Sequence, residues 1–271
     1  MQRALLAGLF SGGLGGLLGS VAVLRQLSFF SDALGHSALL GISLGLLLGL
    51  EPTLVLIPFA VLFAVLVGQL VERSRLPGDA LLNIIYSSSL AIAVVVLRLT
   101  GTRAGSLEQL LFGDILGASW ADVAVQGALA LVVLGFLLLT RRSQILVSLD
   151  AGLAVSQGVA VGTQRLVFVV VLAVVVALSI KAVGVLLISA FVVIPACAAR
   201  LLAPGFSAYM ALASGLGAAC GVLGLLASGL LNLPSGPCVV IAQLLMFLLA
   251  LVLSAGPAAA AARAAWPGRA G

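Results

Sequence analysis

Residues Ala4–Leu24, ALLAGLFSGGLGGLLGSVAVL, contain no charged side chain, and Arg3 and Arg25 bracket them. An α-helix rises about 1.5 Å per residue, so roughly 20 apolar residues cross a hydrocarbon core about 30 Å thick. This stretch therefore reads as a membrane-spanning helix. The same pattern recurs at Ala33–Leu50, Thr53–Val71, Ala80–Leu97, Ala121–Leu139, Leu166–Ala182, Val183–Leu202, Ser207–Gly229 and Cys238–Leu253. The expected architecture is all-α, a polytopic membrane bundle of about nine transmembrane helices. A membrane β-barrel is built from alternating strands of about ten residues, and these runs are far longer.

Composition agrees. Of 271 residues, 63% are hydrophobic and only 8% are charged. A soluble domain is about 45–50% apolar and about 25% charged, so this chain has too little polar surface to cover a water-soluble globule. Three Cys in so long a chain exclude a disulfide scaffold. Such hydrophobicity also excludes intrinsic disorder. The net charge of +5 reads as a topology signal rather than a nucleic-acid footprint. If the loop with Arg141 and Arg142 is cytoplasmic, span counting places Arg25, Arg73, Arg75, Arg165, Arg200, Arg263 and Arg269 inside as well. Arg3, Arg98, Arg103 and Lys181 then lie outside or near the outer face. The expected N-terminus is outside and the C-terminus inside. The expected division is a transmembrane body over residues 1–254 and an Ala/Pro-rich cytoplasmic tail over 255–271.

Thirty-two glycines supply the next clue. Gly8, Gly12, Gly15 and Gly19 share one face of the first helix. Gly41, Gly45 and Gly49 form a second seam, and Gly217, Gly221 and Gly224 a third. Small-residue seams let helices approach closely in lipid, where apolar burial gives little drive to associate. They point to a compact transport body more than to an anchor.

Three polar stretches stand out. Asp32 and His36, four residues apart in FSDALGHS, share a helix face. Both are competent metal ligands, and an ionisable pair at membrane depth marks a functional site. The alternative is that Asp32 caps the helix while His36 packs against a neighbour. His36 is the single His of the chain, so the chain alone builds no multi-histidine zinc centre. In LEQLLFGDIL, residues 107–116, Glu108 and Asp114 are placed either at an outer mouth that attracts cations or on a capped surface turn. In SLDAGLAVSQG, residues 148–158, Asp150 is expected to cap a short helix with Leu149 packing behind it, and Gly158 to end it. That helix suits docking of a soluble partner or rests on lipid. Lys181 is expected to extend toward the interface. Pro58, Pro195 and Pro234 kink or delimit helices, and the cysteines read as packing residues. No Gly-x-x-x-x-Gly-Lys-Ser/Thr loop is present, so ATP hydrolysis by that route requires another polypeptide.

The run Arg25–Gly41, RQLSFFSDALGHSALLG, resembles the metal-ion ABC transporter permeases of the zinc, manganese and iron uptake type. The similarity continues in Leu111–Ile115, in Asp150–Gly158, in Lys181–Pro195 and in Pro234–Ser235–Gly236. The resemblance implies a fold similar to that of the vitamin B12 and siderophore importers. It implies a homodimeric permease with two ABC ATPase subunits and an extracytoplasmic metal-binding protein, in the bacterial inner membrane. No permanently bound cofactor is implied, only the transported zinc, manganese or iron ion. Asp32 and His36 fall on the motif associated with the metal path. Asp150, Ala151, Leu153, Ala154 and Gly158 fall on the ATPase-coupling segment, expected over residues 143–163. Ser31 stands where Gly is usual, Asn232 where Asp is common, and the stretch after Asp150 lacks a frequent basic residue. A permease for a metal chelate and an ion-coupled secondary carrier are the alternative readings.

Overall fold

The computed structural model describes residues 1–74, 76–99, 113, 115–185 and 187–255. Within them the chain forms α1 (Gln2–Leu24), α2 (Ser28–Leu47), α3 (Pro52–Arg73), α4 (Gly78–Leu99) and α5 (Trp120–Leu139). Two short helices follow, α6 (Arg141–Leu149) and α7 (Ala151–Ser156). Then come α8 (Val161–Val183), α9 (Ile188–Leu202), α10 (Phe206–Leu231) and α11 (Ser235–Ser254). No strand occurs among the described residues.

Eight of these helices are long and apolar enough to cross a membrane. The expected seventh span is the exception in length: α9 has 15 residues, about 22 Å of helix, and with the residues flanking it the chain still passes from the Lys181–Asp122 end of the bundle to the Arg141–Ser207 end. Its late start has a local cause. Gly184 ends α8 with φ +88°, a left-handed backbone that glycine adopts at little cost. Ala182 and Val183 therefore belong to α8, and the chain breaks at Gly184 before α9, whose first residue is Ile188. The second span also differs from expectation. It starts at Ser28 rather than Ala33, so Asp32 lies inside the helix.

Two of the three glycine seams pack against each other. A Cβ on Gly12 would lie 2.2 Å from the Gly217 carbonyl oxygen, and one on Gly217 would lie 2.1 Å from the Gly12 oxygen. Gly8 meets Gly221 in the same way, and Gly16 meets Ala213. The backbones of α1 and α10 are thus in direct contact. Gly15 and Gly19 face Phe191 and Val192 of α9. The second seam is not continuous. Gly41 packs on the Phe59 ring, whereas Gly49 lies beyond the helix at φ +66° with nothing near its Cβ position. Its role is to turn the chain.

α1 and α2 form the centre of the bundle, each with 67% of its spanning window buried, against 22% for α5. Phe30, Phe168 and Phe191 are fully buried between them and their neighbours. Leu62, Leu131, Leu138 and Leu245 point outward, as lipid-facing side chains do. Ser11 donates to Gln126 Oε1 at 3.2 Å, a polar tie between α1 and α5.

The two ends of the bundle differ in charge chemistry. At one end Arg25, at the close of α1, reaches α6, and Arg141 donates to Ser207 beside the start of α10. At the opposite end Lys181 pairs with Asp122 at 2.8 Å, and Arg3 lies over the Trp120 ring at 5.7 Å.

Candidate functional site

Asp32 and His36 occupy successive turns of α2. The N-cap of that helix is Leu27, with no side-chain cap bond, so Asp32 does not cap it. The carboxylate oxygen Oδ1 lies 3.7 Å from His36 Nδ1. Nδ1 is also 3.0 Å from the Asp32 carbonyl oxygen. A carbonyl oxygen only accepts, so this bond places a proton on Nδ1 and makes Nε2 the ring nitrogen turned away from the backbone. A backbone bond that fixes the tautomer in this way is the usual support for a metal-binding imidazole. The ring is further held edge-to-face against Tyr86 of α4, at a centroid distance of 4.7 Å. Phe29 stacks edge-on against the same tyrosine.

The His36 side chain is 12% exposed and that of Asp32 29%. The pair is therefore partly enclosed yet reachable. Leu40 continues the same face one turn on. Leu40 lines an apolar crevice of about 510 Å³ between α2, α3 and α4, together with Phe59, Phe63, Ile85, Ser89 and Arg73. Behind the site, Gly35 allows α2 to meet the α8–α9 turn, since a Cβ there would lie 3.0 Å from the Val185 oxygen. No group of three or more His, Cys, Asp or Glu side chains gathers for a metal among the described residues. The arrangement places a carboxylate and an imidazole on one face of α2, without a closed shell of ligands among the described residues.

The second candidate is the α6–α7 segment. Asp150 caps α7, accepting from the backbone N–H groups of Gly152 at 2.7 Å and Leu153 at 3.0 Å. Gly158 turns the chain out of it at φ +76°. Ala154 is fully buried and pins the helix, whereas Leu153 and Val155 are exposed. Leu149 does not pack behind the cap: it is 75% exposed. The cap bonds and Ala154 already fix the entry of the chain, so Leu149 joins the outward apolar surface. The sequence after Asp150 lacks a basic residue, but Arg142 of α6 donates to Gln157 Oε1 at 3.0 Å. A cation is thus supplied to α7 from the neighbouring helix. Asp150, Ala151, Leu153, Ala154 and Gly158 form one compact element, distant in sequence from Asp32 and His36. Glu108 and Asp114 lie outside the described residues.

Other departures have local explanations. Asn232 ends α10 at φ +55°, a left-handed position that Asn tolerates. Ser31 is fully buried, and its hydroxyl has no partner among the described residues.

Sequence reasoning missed four contacts. Arg25 is half-buried under α6, with Nη2 donating to Gln144 Oε1 at 2.6 Å, Nε to Ser148 Oγ at 3.2 Å, and the guanidinium 4.9 Å from the Phe168 ring. Burial first, and then Arg165, lowers its guanidinium to about 10, so it remains cationic at neutral pH. Ser119 and Asp122 form a reciprocal capping box at the start of α5, and Lys181 pairs with Asp122 instead of reaching freely outward. The Ser-x-x-Asp spacing was the available signal for that box. Tyr86 had none, because a tyrosine in an apolar run reads as packing.

The ABC 3 transport family model matches residues 1–254. The manganese import system permease protein ScaB of Streptococcus parasanguinis is 31% identical over 254 residues, covering 94% of this chain and 90% of the relative. The high-affinity zinc uptake system membrane protein ZnuB of Haemophilus influenzae is 31% identical over 254 residues, covering 92% of this chain and 95% of the relative. Among solved structures, PsaBC from Streptococcus pneumoniae in complex with Fab superposes with a TM-score of 0.82 at 28% identity, covering 92% of this chain and 90% of the other.

Proposed function

This chain belongs to the ABC 3 transport family, and from that premise we propose that Asp32 and His36 form the station past which it moves its substrate. The chain is the membrane-spanning permease subunit of an ATP-driven importer of divalent metal ions. A divalent ion leaving water loses its hydration shell, and ligands along the path must offset part of that loss without trapping the ion. A carboxylate oxygen and an imidazole nitrogen on one face give that weak, reversible coordination. Zinc, manganese and iron all accept such ligands. The observation that carries the reading is the Nδ1–H···O bond to the Asp32 carbonyl, which turns Nε2 away from the backbone.

The remaining parts follow from the same reading. Two ABC ATPase subunits dock on the α6–α7 segment of a permease homodimer, within residues 143–163. The outward Leu149, Leu153 and Val155 offer them an apolar contact. That end carries Arg25, Arg141, Arg142 and Arg165, so the positive-inside rule assigns it to the cytoplasm. The N-terminus is then outside and the 255–271 tail inside. An extracytoplasmic binding protein delivers metal at the opposite face; the carboxylates of Glu108 and Asp114, which lie outside the described residues, suit attraction of a cation by their charge alone. ATP supplies the energy by biasing two global states of the bundle.

The test is uptake of radioactive metal into vesicles by the assembled transporter, with Asp32→Ala and His36→Ala at matched expression. Each variant is expected to lose at least tenfold in uptake rate. Wild-type uptake and wild-type metal dependence in both variants would remove the pair from the path.

A further inference from the structure

We infer that Arg25 is a positioning residue that links the α6–α7 segment to the Asp32–His36 helix; this rests on the docking and pathway roles proposed above. Only Arg25, Gln26 and Leu27 separate α1 from α2. Their backbone is tied tightly. The Leu27 N–H donates to the Ala22 oxygen at 2.8 Å, and the Phe30 N–H donates to the Leu27 oxygen at 3.0 Å. Gln26 sits at φ +58°, a left-handed conformation that costs a non-glycine residue about 1 kcal/mol. A turn so bonded moves as a unit with the first turns of α2. Asp32 lies seven residues after Arg25.

From this turn the Arg25 side chain crosses to α6. Its fork holds Gln144 and Ser148, its face lies on Phe168 of α8, and Gln144 in turn meets Gln164 at 3.4 Å. Ser148 is two residues before the Asp150 cap of α7. One guanidinium therefore joins the docking segment, α8 and the turn that carries the metal-site helix. A lysine cannot reproduce this, because it offers one point charge in place of a planar fork that also stacks. The third nitrogen, Nη1, is buried without a hydrogen-bond partner among the described residues. A displacement of α6 is passed through the guanidinium to the turn and to α8 together, which is the physical continuity that coupling between distant sites uses.

The experiment uses the full permease with its ATPase subunits in phospholipid nanodiscs and in proteoliposomes. Arg25→Met keeps the side-chain bulk and removes the charge and the fork. It is expected to retain the ATPase subunit and its basal hydrolysis, while metal imported per ATP hydrolysed falls at least tenfold. Arg25→Lys should fall between wild type and Met. The double variant Gln144→Leu with Ser148→Ala removes the acceptors and should lower the same ratio. If Arg25→Met does not assemble, the double variant decides. A wild-type ratio in every variant that assembles overturns the inference. Ala154→Pro, which breaks α7, separates the two readings. If it releases the ATPase subunit while the Arg25 variants couple normally, only the Arg25 link fails. If it leaves docking and coupling intact, the docking reading fails and the Arg25 link falls with it.

Discussion

Replacing Gly12 by Ala puts a methyl group 2.2 Å from the Gly217 carbonyl oxygen. Side-chain carbons do not approach oxygens closer than 3.0 Å without displacement, so α1 and α10 must part by roughly 1 Å. A gap of about 0.5–1 Å forfeits a quarter to a half of each van der Waals contact across it. The loss extends along the seam through Gly8–Gly221 and Gly16–Ala213. Overpacking of this kind costs about 1–3 kcal/mol. Ala also gains about 1 kcal/mol of helix propensity over Gly, which offsets part of the cost. The neighbouring Gly13 provides the control. A Cβ there meets Ser214 and Ala218 at 3.6 Å and beyond, an ordinary contact. Both substitutions carry the same propensity gain, so their difference isolates the clash. Unfolding of the purified permease by SDS titration in mixed micelles should place Gly12→Ala about 1–3 kcal/mol below Gly13→Ala. Equal stabilities would refute the reasoning that backbone contact along this seam holds α1 against α10.

Two further substitutions probe local devices. Asp150→Ala removes the acceptor for the Gly152 and Leu153 N–H groups; a lost cap costs about 1 kcal/mol, and hydrogen exchange at residues 151–156 should accelerate accordingly while the spanning helices remain protected. Gln26→Gly relieves the left-handed turn between α1 and α2, and the same SDS titration should show a gain of up to about 1 kcal/mol.

The spans were legible because the bilayer imposes one simple requirement, a long apolar run with internal backbone bonding. Where a single residue decides, the pattern gave less. The apolar run through Ala182 and Val183 is interrupted in sequence only by Lys181 and Gly184, and the φ of Gly184 is what shows that α8 closes at Val183 and that α9 begins late, at Ile188. Seams one and three were visible as periodic glycines, but their pairing was not, since it depends on how α10 returns past α1. Asp32 and His36 were legible as an i, i+4 pair. The bond that selects the imidazole tautomer was not, because it runs to backbone. Arg25 looked like a topology marker at the end of a span. Its contacts with Gln144, Ser148 and Phe168 depend on tertiary placement that spacing does not encode.

The central claim is that this chain carries a divalent metal ion across the membrane on energy from a separate ATPase. Reconstituted uptake of zinc, manganese and iron(II) into proteoliposomes, with the ATPase subunit and the binding protein supplied, tests it most directly. Uptake of at least one free metal ion should require hydrolysable ATP and persist when proton and sodium gradients are collapsed. Uptake that proceeds without ATP on an ion gradient, or that occurs only for a chelated metal, would contradict the account.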